Sequence, residues 1–166
     1  QLFRWGLLAG PAPDLSGLEA VENKPVYRWA ALCGRMGSTA LLEALKPDRK
    51  TLDLCRGALG IVARGRPGDW LPLLARHGRA ICETAAAVLG DGSLAALLAE
   101  APCYRADQLA VTGWELAALG LAGPEIGRAQ RMLLDHVLSH PGENKKEPLL
   151  RLLDTRGLIT GLETRT

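Results

Sequence analysis

Aromatic residues are scarce in this chain: one Phe, two Tyr and four Trp among 166 residues. Strands favour β-branched and aromatic side chains, whereas Leu and Ala, both abundant here, are strong helix formers. The shortage argues against a sheet and for helix nearly throughout. A dominant charge is missing as well. Lys and Arg number 20 against 18 Asp and Glu, a formal net charge of +2. Splitting the chain does not change this: residues 1–104 carry 12 basic against 10 acidic groups, and residues 105–166 carry 8 against 8. No protein-wide field draws a polyanion to such a chain, so nucleic-acid binding here requires a local patch.

Other absences exclude whole classes of chemistry. Cys33, Cys55, Cys82 and Cys103 are widely spaced and form no Cys-x-x-Cys pair, which argues against a zinc module and against a disulfide scaffold. Buried, reduced thiols in a cytoplasmic protein are the simplest account. No apolar run approaches the roughly 18 residues of a membrane span, and no signal peptide is visible. Metal-assisted phosphoryl transfer needs adjacent carboxylates to clamp Mg²⁺, yet no Asp-x-Asp or Glu-x-Asp occurs, and there is no P-loop. No catalytic residue and no metal ligand is assigned on these grounds.

What is present is a series of short helical patterns punctuated by glycine and proline. The length suits one domain or two small ones. The uncapped apolar stretch Leu2–Ala9 and the first residue, Gln1, suggest a fragment of a longer protein. Gln1–Leu8 reads as the end of an upstream helix, stopped by Gly10-Pro11-Ala12-Pro13, with a short helix after Ser16. Asn23 is the expected cap of a helix with Pro25 in its first turn and Trp29, Ala30, Leu32 and Cys33 on its apolar face, ended by Gly37. Ser38 is the expected cap of a helix through Leu45. Over Arg49–Ala63, Leu52, Cys55, Leu59 and Val62 recur at helical spacing. Asp69 and Ser93 are the expected caps of later helices, separated by Gly78 and by Gly90-Asp91-Gly92. The expected architecture is all-α, a multi-helix bundle of short antiparallel helices. Its expected parts are an upstream linker (1–24), a helical body (25–104) and a tail (105–166).

The tail is the most ordered stretch of pattern. Thr112 caps a short helix, Gly120 closes it in a left-handed conformation, and Leu121-Ala122-Gly123 turns the chain. Pro124 then opens a long helix to Ser139 or His140, and Pro141-Gly142 stops it. Asn144 and Glu147 have capping-box spacing for a last helix through Asp154, with Pro148 costing it one hydrogen bond.

The Gly123-Pro124-Glu125-Ile126-Gly127 turn carries the functional reading. A helix start leaves backbone N–H groups unpaired and carries partial positive charge, and glycines there let a phosphate approach closely. At about 100° per residue, Ile126, Ala129, Leu133 and Val137 share one side of the long helix. Arg128, Arg131, Asp135 and Ser139 share the other. Two arginines therefore stand behind the turn, able to neutralise phosphates, with Lys145 and Lys146 following. The plain alternative is helix punctuation with solvated arginines. His136 and His140 have a spacing that can bind zinc, but Val137 stands where a metalloprotease has Glu. His77, between Arg76 and Arg79 in a basic stretch, can touch RNA or edge the solvent. Trp5, Trp29 and Trp70 read as packing residues before base-stacking ones.

Leu109-Ala-Val-Thr-Gly-Trp-Glu-Leu116, Gly120, Gly123-Pro124-Glu125-Ile126-Gly127, Leu133-Leu134, Val137-Leu138, Asn144-Lys145-Lys146-Glu147 and Leu149-Leu150 together resemble the tail of bacterial tRNA nucleotidyltransferases. These are the CCA-adding enzymes and their poly(A)-polymerase-like relatives. Pro25-Val-Tyr-Arg-Trp-Ala-Ala-Leu32 resembles the opening of the family's C-terminal region. Trp114 departs from the pattern, standing where the family usually has a polar or basic residue. Pro148 departs from it as well. The resemblance implies a poly(A)-polymerase C-terminal-region-like body with a helix-turn-helix-like tail that holds tRNA by backbone and shape. It implies RNA contacts at Gly113, Gly123, Gly127, Arg128, Arg131, Lys145 and Lys146. Nucleotide addition, with Mg²⁺ and ATP or CTP, then belongs to a separate N-terminal catalytic head, the other expected partner. Gly37-Ser38 is similar to that head's Gly-Ser, but no paired acids follow it, so a helix break with a serine cap is the better reading. A bracing helical scaffold and a helix-hairpin-helix DNA-binding module are the alternatives.

Overall fold

The computed structural model describes residues 15–159, which form nine α-helices and no strand. The expected helix end at Gln1–Leu8, its Gly10-Pro11-Ala12-Pro13 stop and Trp5 lie outside the described residues. Two compact units divide the chain, Gln1–Ala99 and Glu100–Thr166. The division precedes the expected boundary at 104/105 because Cys103 packs into the core of the second unit. No described helix is long and apolar enough to cross a membrane.

Small side chains organise the first unit. Helices α1 (Pro25–Met36), α3 (Arg49–Val62) and α5 (Arg79–Leu89) pack against one another. Ala30, Cys33, Cys55, Ala58, Cys82 and Ala85 occupy the sealed centre. A core short of aromatics lets helices approach closely, since only small atoms separate their backbones. This also explains a shift in α3. Cys55, Ala58 and Ile61 are buried, while Leu52, Leu59 and Val62 are half-buried at its edges. Burial pushes the thiols of Cys55 and Cys82 up to about 11, so they remain protonated and unreactive at neutral pH. Around these helices lie α2 (Ala40–Ala44) on α1, and α4 (Leu71–His77) and α6 (Ser93–Ala99) on α5. The short helix expected after Ser16 is a 3-10 helix, Leu18–Ala20.

Two expected caps, Ser38 and Asp69, act from one residue before the cap position, and two others, Asn23 and Ser93, do not cap. Lys24, not Asn23, is the extended residue before α1, because a proline at the first helical position holds its predecessor extended. Ser38 Oγ accepts from Ala40 N–H at 3.1 Å, Asp69 Oδ1 from Leu71 N–H at 2.8 Å and Asp91 Oδ1 from Ser93 N–H at 3.0 Å. Each side chain reaches the amide two residues on, the geometry of Asx and serine turns. Ser93 therefore begins α6 and Asp91 holds it. Trp70, buried, donates its indole N–H to Asp91 Oδ2 and Ser93 Oγ, tying α4 to the same turn.

The second unit contains α7 (Gly113–Ala118), α8 (Pro124–Ser139) and α9 (Lys146–Thr155). Leu116, Leu121, Ala129, Leu133, Val137, Leu149 and Leu153 form its core with Val111 and Leu109. The expected Asn144–Glu147 capping box does not form. Asn144 Oδ1 accepts from Ala110 N–H at 2.8 Å and its Nδ2 donates to Gln108 O at 3.0 Å. Helix α9 begins only at Lys146, with Lys145 as its cap residue and no side-chain capping bond. Pro148 thus occupies the third helical position, where an N–H has no intrahelical partner anyway, and costs no hydrogen bond. Glu147 pairs instead with Arg151, at 3.9 Å.

Candidate nucleic-acid interface

Helix α7 is fastened at its start by a complete capping box. Thr112 Oγ1 accepts from Glu115 N–H at 3.3 Å, and Glu115 Oε2 accepts from Thr112 N–H at 2.8 Å. Its end unwinds through Leu119 into Gly120, at φ +97, and Leu121 N–H donates back to Leu116 O. Leu121 is then buried, which anchors the turn on the core. Gly123 follows at φ 50 and ψ −120, a conformation that side chains oppose, immediately before Pro124.

This geometry opens the start of α8. Glu125 N–H donates to Ala122 O, whereas the amide of Ile126, in the first turn of α8, has no backbone partner among the described residues. A Cβ at position 127 would meet nothing within 4 Å, so the backbone is approachable there. One acid stands at the mouth: Glu125 Oε2 accepts from Ala122 N–H at 3.2 Å. That carboxylate competes with any incoming anion, and arginines must outweigh it.

Arg128 and Arg131 are exposed and make no ion pair or hydrogen bond through their side chains among the described residues. Ala129, Leu133 and Val137 are buried on the opposite side of α8, and Ile126 is half-buried. The turn glycines and both arginines therefore belong to one open surface. The remaining expected contacts are Gly113, Lys145 and Lys146. A Cβ at Gly113 would rest 3.5 Å from Ile126 Cγ2 and 3.5 Å from Gln130 Nε2, so this residue faces α8 at the start of α7. Lys146 Nζ donates to Glu115 Oε1 at 2.5 Å, which spends its charge inside the unit. Lys145 is exposed beside it, with no side-chain partner among the described residues. Lys146 is thus tied to α7 through Glu115.

The Lys146 contact and the two Thr112 hydrogen bonds hold the Glu115 carboxyl at about 2, below its usual 4.5. A depressed carboxyl contributes stability that is complete above pH 4.5 and is lost as the pH falls toward 2. Hydrogen exchange of α7–α9 amides is expected to accelerate across that window. Glu115→Gln is expected to flatten the dependence, leaving the smaller share of Glu143, whose carboxyl is lowered by its hydrogen bond with His136. An unchanged pH slope in Glu115→Gln would contradict this.

The other sequence candidates resolve into local structure. His136 Nε2 lies 2.6 Å from Glu143 Oε2, and its ring stacks on His140 at 4.7 Å. Among the described residues no group of three or more His, Cys, Asp or Glu could hold a metal. Arg79 is engaged by Glu83 at 2.7 Å, and His77 Nε2 is buried without a partner. Trp114 is the residue whose position sequence reading missed. It is 87 % exposed. Its place two residues before buried Leu116, about 200° around the helix, was the available signal.

No protein family model, curated protein or solved structure matches this chain.

Proposed function

We propose that this chain is the tRNA-binding body and tail of a CCA-adding tRNA nucleotidyltransferase of the bacterial, poly(A)-polymerase-like kind. On this reading the first unit is the body bundle and the second the tail. The observation that carries it is the unpaired Ile126 amide beside open Gly127, together with the unengaged Arg128 and Arg131 guanidinium groups. The Thr-Gly, Gly-Pro-x-Ile-Gly and Asn-x-x-Glu order of the tail supports it. Phosphates would be held at the turn and along the arginine face, by shape and backbone and without reading base sequence. The chain itself adds no nucleotide. Mg²⁺, ATP and CTP belong to a catalytic head, and a cytoplasmic setting follows from that role.

Titration of a tRNA transcript with the chain, followed by fluorescence anisotropy at several KCl concentrations, tests this. Binding is expected to be weak and steeply salt-dependent. Arg128→Ala/Arg131→Ala is expected to weaken it about tenfold or more and to lower the log–log salt slope by about 1–2. Unchanged binding in the double variant moves the contact elsewhere. No binding at low salt favours a bracing scaffold, a reading that the Glu125 carboxylate at the mouth of the turn would suit. Two helices joined by a glycine hinge also suit a helix-hairpin-helix module, and tighter binding of duplex DNA than of tRNA would favour that.

A further inference from the structure

The most exposed large apolar side chain described is Trp114. Its indole, with Gly113, Ala117 and Ile126, lines an open apolar depression of about 400 Å³. Burying such a surface rewards an occupant, and the neighbouring chemistry restricts what that occupant is. Ile126 gives its side chain to the depression and its open amide to the start of α8. The Gln130 side-chain amide, which has no hydrogen-bond partner among the described residues, lies against Gly113 at the rim. Arg131, unengaged, follows Gly127 by one helical turn.

A flat apolar face, an edge that hydrogen-bonds and an attached anion belong to a nucleotide. A docked protein helix is a poorer fit. Stable protein interfaces bury about 800 Å² per partner, and little apolar surface is available here beyond one indole. Leu119, the other exposed large apolar residue of this segment, is about 140° away around the helix. We propose that Trp114 is the stacking platform for one unpaired base of the bound RNA, whose phosphate sits at the Ile126 amide. The inference rests on the RNA-binding reading above. It adds to that reading a base contact at a position where the resembling family has a polar or basic residue.

Unpaired bases stack on aromatic side chains, whereas bases within a duplex are not free to do so. Binding of the full chain to a tRNA transcript and to a blunt RNA duplex without loops separates the two. Trp114→Ala is expected to weaken transcript binding about ten- to hundredfold, with the salt slope unchanged, because no phosphate contact is removed. Trp114→Phe is expected to restore most of the affinity, and duplex binding is expected to be the same in all three proteins. An exposed indole leaves the melting midpoint where it was, so lost binding is not lost folding. If Trp114→Ala keeps wild-type affinity while Arg128→Ala/Arg131→Ala loses it, stacking is wrong and the phosphate grip stands. Equal losses on transcript and duplex would also overturn stacking. So would a concentration-dependent dimer in sedimentation that Trp114→Ala abolishes. Absence of any RNA binding at low salt would remove both readings together.

Discussion

Gly57→Val is expected to destabilise the first unit by about 3 kcal/mol, at the upper end of what overpacking a core usually costs. Gly57 lies inside α3, where it faces α5. A Cβ built there would lie 2.7 Å from Ile81 Cδ1, 3.0 Å from Cγ2 and 3.1 Å from Cγ1. The Cδ1 end could swing aside, but Cγ1 and Cγ2 both branch from Ile81 Cβ, and such side chains are stiff at χ1. The helices must therefore separate, which disturbs the sealed Ala and Cys centre. Gly57→Ala is expected to cost less, about 1–2 kcal/mol. The control is one turn along the same helix. Gly60 has nothing within 4 Å of a would-be Cβ, so Gly60→Ala should gain the usual helix-propensity difference of about 0.5–1 kcal/mol. Urea unfolding followed by the fluorescence of buried Trp70 reports on this unit. If Gly57→Ala and Gly60→Ala shift the midpoint in the same direction, the close crossing is not what this glycine serves.

That pair of glycines marks how far the sequence could be read. Glycine as punctuation was legible at Gly37, Gly120 and Gly123, where the chain had to turn with positive φ. Glycine as a spacer between helices was not legible at Gly57, because its reason lies on α5, 24 positions away at Ile81. The same division runs through the candidate site. Thr112, Pro124 and the two faces of α8 follow from local chemistry and helical period, and the structure has them as read. The Lys146–Glu115 contact spans 31 positions and pairs one expected RNA-facing cation with a carboxylate that residue spacing does not reveal. Glu125 folding back on Ala122 is local, yet it depends on a turn conformation that residue types alone do not specify. Exposed arginines were therefore easier to read than the carboxylates that stand beside the site.

Asn144→Ala is expected to destabilise the second unit by about 2–4 kcal/mol, although the residue is partly exposed and lies outside every helix. Its carboxamide satisfies a backbone donor at Ala110 and a backbone acceptor at Gln108, across 34 and 36 positions. Removing it leaves the part-buried Ala110 amide unpaired, at about 1–3 kcal/mol, with roughly 1 kcal/mol more for the carbonyl. Those two bonds pin the segment leading into the Thr112 cap against the segment leading into α9. Asn144→Asp keeps the acceptor and loses the donor, so an intermediate loss is expected. The capping-box alternative makes a different forecast, because it requires Glu147 as the reciprocal partner. Glu147 is exposed and reaches only Arg151, so Glu147→Ala should change stability by less than about 0.5 kcal/mol. Hydrogen exchange gives the sharper reading of the two. In Asn144→Ala the Ala110 amide should lose protection along with α7, while a box would expose only the first turn of α9. Equal losses in Asn144→Ala and Glu147→Ala, with Ala110 still protected, would return Asn144 to the role its spacing first suggested.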